Sequence, residues 1–190
     1  GDSHPVIDAE LIIMAMNIYG DLQLPVSLQI NSIGDENCRP AYEKALASYY
    51  RSHKDQLCIT CLERMQRSAL RLLDCKEEQC QALKAEAPQF VDHLCDGCKD
   101  HLTKILEYLD EIDIPYVLNS QLVRGLDYYT RTVFEIWSAE DERGRTAMGA
   151  GGRYDKLVET LGGRPTPACG FALGMETTII KMKEANVLIP

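Results

Sequence analysis

No stretch of this 190-residue chain approaches the roughly 20 consecutive apolar residues that a membrane-spanning helix needs. The opening residues, Gly1-Asp2-Ser3-His4-Pro5, carry neither a basic region nor an apolar segment of the secretory kind, so the sequence reads as soluble and cytoplasmic. Positive charge is scarce as well. The formal net charge is -9, which argues against a generic nucleic-acid binder, usually a basic protein. The deficit is uneven: acidic residues outnumber basic ones before Arg124, and the two signs balance from Arg124 to Arg164. An RNA partner would therefore dock through a local patch or through a segment outside this chain. There is no internal repeat, no low-complexity tract and no G-x-x-x-x-G-K-[ST] phosphate loop. His4, His53, His93 and His101 stand in helical or flanking segments without a recognisable serine or cysteine nucleophile beside them, which reads them as solvated or capping residues.

Cysteine, by contrast, is abundant, with eight copies. In a cytosolic protein that number points to reduced thiols or metal ligands before disulfides. Cys58-x-x-Cys61 and Cys95-x-x-Cys98 have knuckle spacing, and Cys75 and Cys80 lie between them. Four thiolates from two such pairs satisfy tetrahedral zinc, and a small helical segment with little core of its own can be held together by a metal. The competing reading is a set of free thiols, which pack as small hydrophobes. If zinc binds, Cys58, Cys61, Cys95 and Cys98 are the expected ligands, with Cys75 or Cys80 able to replace one. The role would be structural, because no histidine or open position points to catalysis. Cys38 and Cys169 read as core residues.

The patterning predicts an α+β chain. Ser3 and Pro5 make a helix start, and Val6, Ile7, Leu11, Met14, Ala15 and Ile18 recur at helical spacing up to Gly20. Val26, Leu28 and Ile30 alternate with polar residues as a strand with one buried face. A helix follows from Arg39 to about Arg51. Residues 52–113 change character, being charged, cysteine-bearing and helical in pattern, so the chain divides into a first core part (1–51), an inserted helical subdomain (52–113) and a second core part (114–190). In the last part, Ile114–Leu118 and Arg131–Trp137 read as strands, Ala139–Arg145 as a polar hairpin, and Met148–Gly152 as a glycine-rich turn. A helix over Tyr154–Leu161, a buried strand over Ala168–Leu173 and a helix from Met175 to about Ala185 complete it.

The chemistry concentrates at Leu122-Val123-Arg124-Gly125-Leu126-Asp127-Tyr128-Tyr129-Thr130-Arg131-Thr132-Val133-Phe134-Glu135. A guanidinium grips a carboxylate or phosphate through two parallel hydrogen bonds. The adjacent phenols Tyr128 and Tyr129 suit the orientation of a small polar ligand, and Gly125 lets the backbone pass close to it. A surface turn leading into an amphipathic strand is the plain alternative for such a run.

This stretch resembles the histidine-binding signature of histidyl-tRNA synthetases nearly residue for residue. Gly149-Ala150-Gly151-Gly152-Arg153-Tyr154-Asp155-Lys156-Leu157-Val158-Glu159 resembles the family's second signature, and Gly170-Phe171-Ala172-Leu173-Gly174-Met175-Glu176 its third class II motif. The similarity runs over almost the whole chain, from His4-Pro5-Val6-Ile7-Asp8-Ala9-Glu10 onward. It implies part of a class II synthetase antiparallel sheet flanked by helices. The parent activity would be formation of a histidyl adenylate from histidine and ATP with Mg2+, then transfer to tRNA(His), by a homodimer.

The resemblance places Arg124 at the histidine carboxylate and the α-phosphate, as the catalytic residue, and Tyr128, Tyr129 and Tyr154 around the histidine side chain. Asp127, Gly151, Gly152 and Arg153 are expected as supports, and Gly174 and Glu176 on the ATP side. Thr177 departs from the pattern, because an arginine is expected there to hold the γ-phosphate. Motifs 1 and 2 and the anticodon-binding domain fall outside these residues, so the chain alone is expected to be inactive. Two other classes remain: a non-catalytic histidine-sensing paralogue, such as a regulatory subunit of ATP phosphoribosyltransferase, and a zinc-stabilised tRNA-binding module.

Overall fold

The structure is a computed structural model and describes every residue except 126–127, 141–146 and 188–190. Helix α1 spans Pro5–Asp21, with Pro5 in its first turn. The cap is His4 rather than Ser3: the His4 ring nitrogen accepts from the Val6 N–H at 3.3 Å. Strand β1 (Val26–Ser32) leads into α2 (Arg39–Ser52), which also begins with a proline in its first turn. The following stretch has short helices, α3 (Ile59–Met65) and α4 (Glu78–Ala85), separated by single 3-10 turns, and ends in the longer α5 (Asp96–Glu111). Strands β2 (Tyr116–Leu118), β3 (Thr130–Ser138), β4 (Ala147–Arg153) and β5 (Cys169–Leu173) follow, with α6 (Leu157–Thr160) between the last two and α7 (Met175–Glu184) after them.

The strands form one five-stranded sheet in the order β2-β1-β3-β4-β5. The expected antiparallel pairing holds from β1 to β5, while the short edge strand β2 runs parallel to β1. Register separates the two faces chemically. Leu28 lies opposite Ile136 and Ile30 opposite Phe134, and these four are buried with Met148 against α1 and α5. α1 contributes Ala9, Ile12, Ala15 and Tyr19 to that cluster, and α5 contributes Leu102, Ile105 and Leu109. Helix α5 therefore packs on α1. The other sheet face carries Gln29, Asn31, Glu135 and Trp137. Side chains point to alternate faces along a strand, so one face is closed by helices and the other is free to build a site.

The glycine-rich run expected as a turn is instead β4, and close approach explains it. A Cβ at Gly151 would lie 2.4 Å from the Gly170 carbonyl oxygen and 2.7 Å from the Phe134 ring. Glycine in the middle of a strand marks such close contact. β5 is only half-buried, not the buried strand the sequence predicts, because it is the outer strand after β4. The helix expected over Tyr154–Leu161 shrinks to Leu157–Thr160. The hairpin read at Ala139–Arg145 lies mostly outside the described residues.

A second cluster of buried side chains lies around α2 and the cysteine-bearing stretch. It unites Tyr42, Leu46 and Tyr50 with Leu72, Leu83 and Phe90, and reaches Leu122, Val123, Tyr129 and Val133. The cysteine-bearing stretch thus shares its interior with residues flanking the signature loop.

Candidate histidine and metal sites

The open sheet face is floored by small residues. Ala150 stands opposite Glu135 and Ala172, and Gly152 stands opposite Val133 and Gly170. A Cβ at Gly170 would meet the Tyr154 hydroxyl at 2.4 Å, and one at Gly152 would meet the Tyr129 ring at 3.1 Å. The missing side chains leave a cavity of about 590 Å³, lined by Arg124, Tyr128, Tyr129 and Tyr154 together with Ala150, Gly170 and Gly174. Three of the sequence motifs therefore converge on one concave surface.

The phenols form a right-angled cage. The rings of Tyr128 and Tyr129 are 4.6 Å apart and tilted by 31°, while Tyr154 presents itself edge-on to both, at 5.8 and 6.0 Å. Burial, and then the neighbouring Tyr128, push the Tyr129 phenol up to about 12. It is thus a neutral hydrogen-bond donor at physiological pH. Gly125 has open space where a Cβ would be, so no protein atom demands glycine there.

Arg124 is held at one end and open at another. Its Nη1 forms a short ion pair with Glu135 Oε1, and Glu135 Oε2 accepts from Trp137 Nε1 at 2.9 Å. The guanidinium carbon lies 5.8 Å from the Tyr129 ring centroid, a cation–π contact. Arg124 Nε is buried and has no hydrogen-bond partner among the described residues. Buried donors are almost always paired, so a donor remains for an acceptor that the described residues do not supply. Glu135, not singled out from the sequence, is the residue that orients Arg124. The alternation of β3 was the available signal, since Glu135 falls on the polar face. Asp127, expected as a support, lies outside the described residues.

Arg153 has a different place from the cavity. Its side chain is fully buried, and it donates from Nε to both Asp8 oxygens at 3.1 Å, from Nη1 to Asp155 at 3.0 Å, and to the Asp2 and His4 carbonyls at 2.8 and 3.4 Å. Arg153 therefore fastens the N-terminal segment to the end of β4. Asp8 is its main partner. Burial opposes the charge on Asp8, but the close approach of His101 and the hydrogen bonds and charge of Arg153 outweigh it and lower the carboxyl below its ordinary value. His101 is itself buried, with Nε2 3.3 Å from Asp8 but without hydrogen-bond alignment. The sequence reading of His101 as solvated or capping is thus corrected, since a histidine on the inner stripe of α5 points at the α1 interface. Glu176 stands exposed in the first turn of α7, whereas Gly174 lines the cavity.

The two cysteine pairs do not share one site, which corrects the set Cys58, Cys61, Cys95 and Cys98. Cys58 and Cys61 meet Cys75 and Cys80, while Cys95 and Cys98 meet Asp35 and Cys38, the ligand atoms of each group lying within 4.8 Å of one another. In the first group Cys58 Sγ lies 3.8 Å from Cys75 Sγ, and the Cys61 and Cys58 N–H groups point at the Cys58 and Cys80 sulfurs, each at 3.4 Å. Sequence spacing alone pairs like with like; the fold places the start of α5 beside the start of α2 and the β1 exit instead. Cys38 is buried as expected but belongs to the second group, and Cys169 is only half-buried.

A histidyl-tRNA synthetase family profile matches residues 30–178. A histidine–tRNA ligase of Dehalococcoides mccartyi is 47% identical over 191 residues, covering 100% of this chain and 46% of that protein. The crystal structure of apo S. aureus histidyl-tRNA synthetase superposes with a TM-score of 0.77 at 32% identity, over 100% of this chain and 46% of that one. A Bacillus halodurans structure, titled ATP phosphoribosyltransferase regulatory subunit/histidyl-tRNA synthetase, shares the fold at 20% identity and TM-score 0.59, over 96% of this chain and 51% of that one. The chain thus spans about half the length of the relatives it matches. On the breadth of the profile and the identity of these relatives, the chain belongs to the histidyl-tRNA synthetase family.

Proposed function

We propose that the protein containing this chain is a histidine–tRNA ligase, acting in the cytoplasm as a homodimer. Its substrates are histidine, ATP with Mg2+, and tRNA(His). The histidine carboxylate attacks the ATP α-phosphate, pyrophosphate leaves, and the acyl group passes to the terminal ribose of the tRNA. Such in-line transfer depends on positioning and charge neutralisation. One observation carries the reading: the buried, unpartnered Nε of Arg124 beside three phenols over a floor of glycine and alanine. Arg124 takes the carboxylate and the α-phosphate, while Tyr128, Tyr129 and Tyr154 surround the imidazole. Gly151 and Gly152 hold the sheet close, Arg153 supports it, and Gly174 with Glu176 faces the nucleotide.

In this reading residues 1–51 and 114–190 belong to the catalytic core and 52–113 to the insertion, where Cys58, Cys61, Cys75 and Cys80 hold a structural zinc ion. Thr177 offers one neutral hydroxyl where the family pattern has an arginine, and the 190 residues alone are expected to be inactive. The second reading, a histidine-sensing regulator, draws on Thr177 and on the shared fold of the Bacillus halodurans protein. Histidine-dependent exchange of pyrophosphate into ATP by the full-length protein decides between them. Exchange supports the ligase; histidine binding without exchange supports the regulator.

A further inference from the structure

The second cysteine group joins segments far apart in the chain. Asp35 lies in the loop after β1, Cys38 caps α2, and Cys95 and Cys98 open α5. Asp35 Oδ1 is 3.8 Å from Cys38 Sγ and 3.9 Å from Cys95 Sγ, and all four ligand atoms fall within 4.8 Å of one another. A zinc ion with Zn–S near 2.3 Å and Zn–O near 2.0 Å would set tetrahedral edges of about 3.8 Å between sulfurs and about 3.5 Å from sulfur to oxygen. The observed sulfur–oxygen distances are long for hydrogen bonds and only a few tenths of an ångström outside the corresponding edge. Three thiols converging on one carboxylate are also poorly matched as hydrogen-bond partners, since a thiol is a weak donor.

Local backbone geometry supports a metal knuckle. Cys95 caps α5 with φ -68° and ψ 161°, almost the same as Cys58 capping α3 with φ -70° and ψ 161°. Each is followed by its partner cysteine in the first helical turn. On the other side, the Asp35 N–H points at Cys38 Sγ at 3.4 Å, so Asp35-x-x-Cys38 copies the spacing of a cysteine pair with a carboxylate in the first place. Asp35 is also oriented as a ligand carboxylate should be. Its Oδ1 accepts from the Asn37 N–H at 3.0 Å and faces the sulfurs, while Oδ2 accepts from Arg131 Nη2 at 3.2 Å. Ligating carboxylates are commonly fixed in this way by a second hydrogen bond.

We propose that Asp35, Cys38, Cys95 and Cys98 bind a second zinc ion, distinct from the four-sulfur site, which staples the loop entering α2 to the start of α5. Thiolate-rich tetrahedral coordination selects zinc over magnesium or calcium. The staple also bears on the histidine cavity. Arg131 exchanges backbone hydrogen bonds with the same loop, from Ile33 N to its carbonyl and from its own N to Gly34 O, each at 2.7 Å. Arg39, on the first turn of α2, donates to the carbonyls of Ile33 and Tyr129. The ion therefore fixes the loop that holds the base of the phenol cage.

Metal content of the full-length protein, purified under reducing conditions, tests this independently of ligase activity. Two equivalents of zinc per chain are expected, with Cys98→Ser and Cys38→Ser each losing one and Cys61→Ser losing the other. With cobalt in place of zinc, charge-transfer absorption should correspond to seven thiolates on two ions. Asp35→Cys should keep both ions and raise that absorption toward eight, a readout that holds even where serine variants fail to fold. A protein without zinc, a Cys98→Ser variant with unchanged metal content, or a Cys95–Cys98 disulfide in the reduced preparation would overturn the proposal.

Discussion

Arg124 is gripped at Nη1 by Glu135 and left unpaired at Nε among the described residues, so its chemistry at the cavity is that of an oriented but incompletely satisfied cation. Removing a comparable preorganised donor costs about 3 kcal/mol of transition-state stabilisation. Arg124→Ala in the full-length protein should accordingly slow histidine-dependent pyrophosphate exchange by two to three orders of magnitude, chiefly in kcat. A change confined to KM would assign Arg124 to ground-state binding. Asp8 permits a stability prediction. Breaking a buried ion pair typically costs about 3–5 kcal/mol, so Asp8→Asn, which leaves Arg153 buried without its charge partner, should lower urea stability at pH 7 by a large part of that. The sign with pH follows from the lowered native carboxyl. Its contribution is complete above the unfolded value near 3.9 and disappears as pH falls through the still lower folded value. The gap between wild type and Asp8→Asn should therefore narrow in acid, and urea melts at pH 7 and pH 3 would show a constant gap if the pair were unimportant.

Among the elements, β4 shows where patterning misleads. Glycines in sequence read as a turn because glycine is conformationally permissive; here they make a strand because neighbouring strands and rings leave no room for a Cβ. That reason is tertiary and cannot be seen in a one-dimensional pattern. α1, β1 and α2 were legible, since apolar periodicity and proline near the start are local signals. The arginine and tyrosines of the cavity were legible through the motif run, but Glu135, Asp8 and Asp35 were not, because each acquires its role from a partner 11, 145 or 60 residues away. Two glycines test the account of β4. Gly151→Ala forces a Cβ onto the Gly170 carbonyl and Phe134, and overpacking of this kind costs about 1–3 kcal/mol; Gly125→Ala meets nothing within 4 Å. Thermal melts should show a clear loss for Gly151→Ala and little change for Gly125→Ala, and equal losses would contradict the strand packing.

In the molecule as a whole, two buried clusters divide the work. One, between α1, α5 and the sheet, is apolar and needs no ion. The other combines α2 with short helices and many cysteines, and reaches Tyr129. Chelation should therefore raise amide hydrogen exchange over residues 53–98 and in the signature loop while leaving α1 and the inner half of α5 protected. Uniform deprotection would mean that a single cooperative unit depends on metal. The central claim, however, is that the Arg124 and phenol cavity receives free histidine. Calorimetric titration of the full-length protein with L-histidine and with histamine, which lacks the carboxylate, tests it most directly. Saturable binding of histidine, weakened but not abolished by Arg124→Ala and much weaker for histamine, is the predicted result; equal affinity for the two ligands, or undiminished histidine binding by Arg124→Ala, would contradict it.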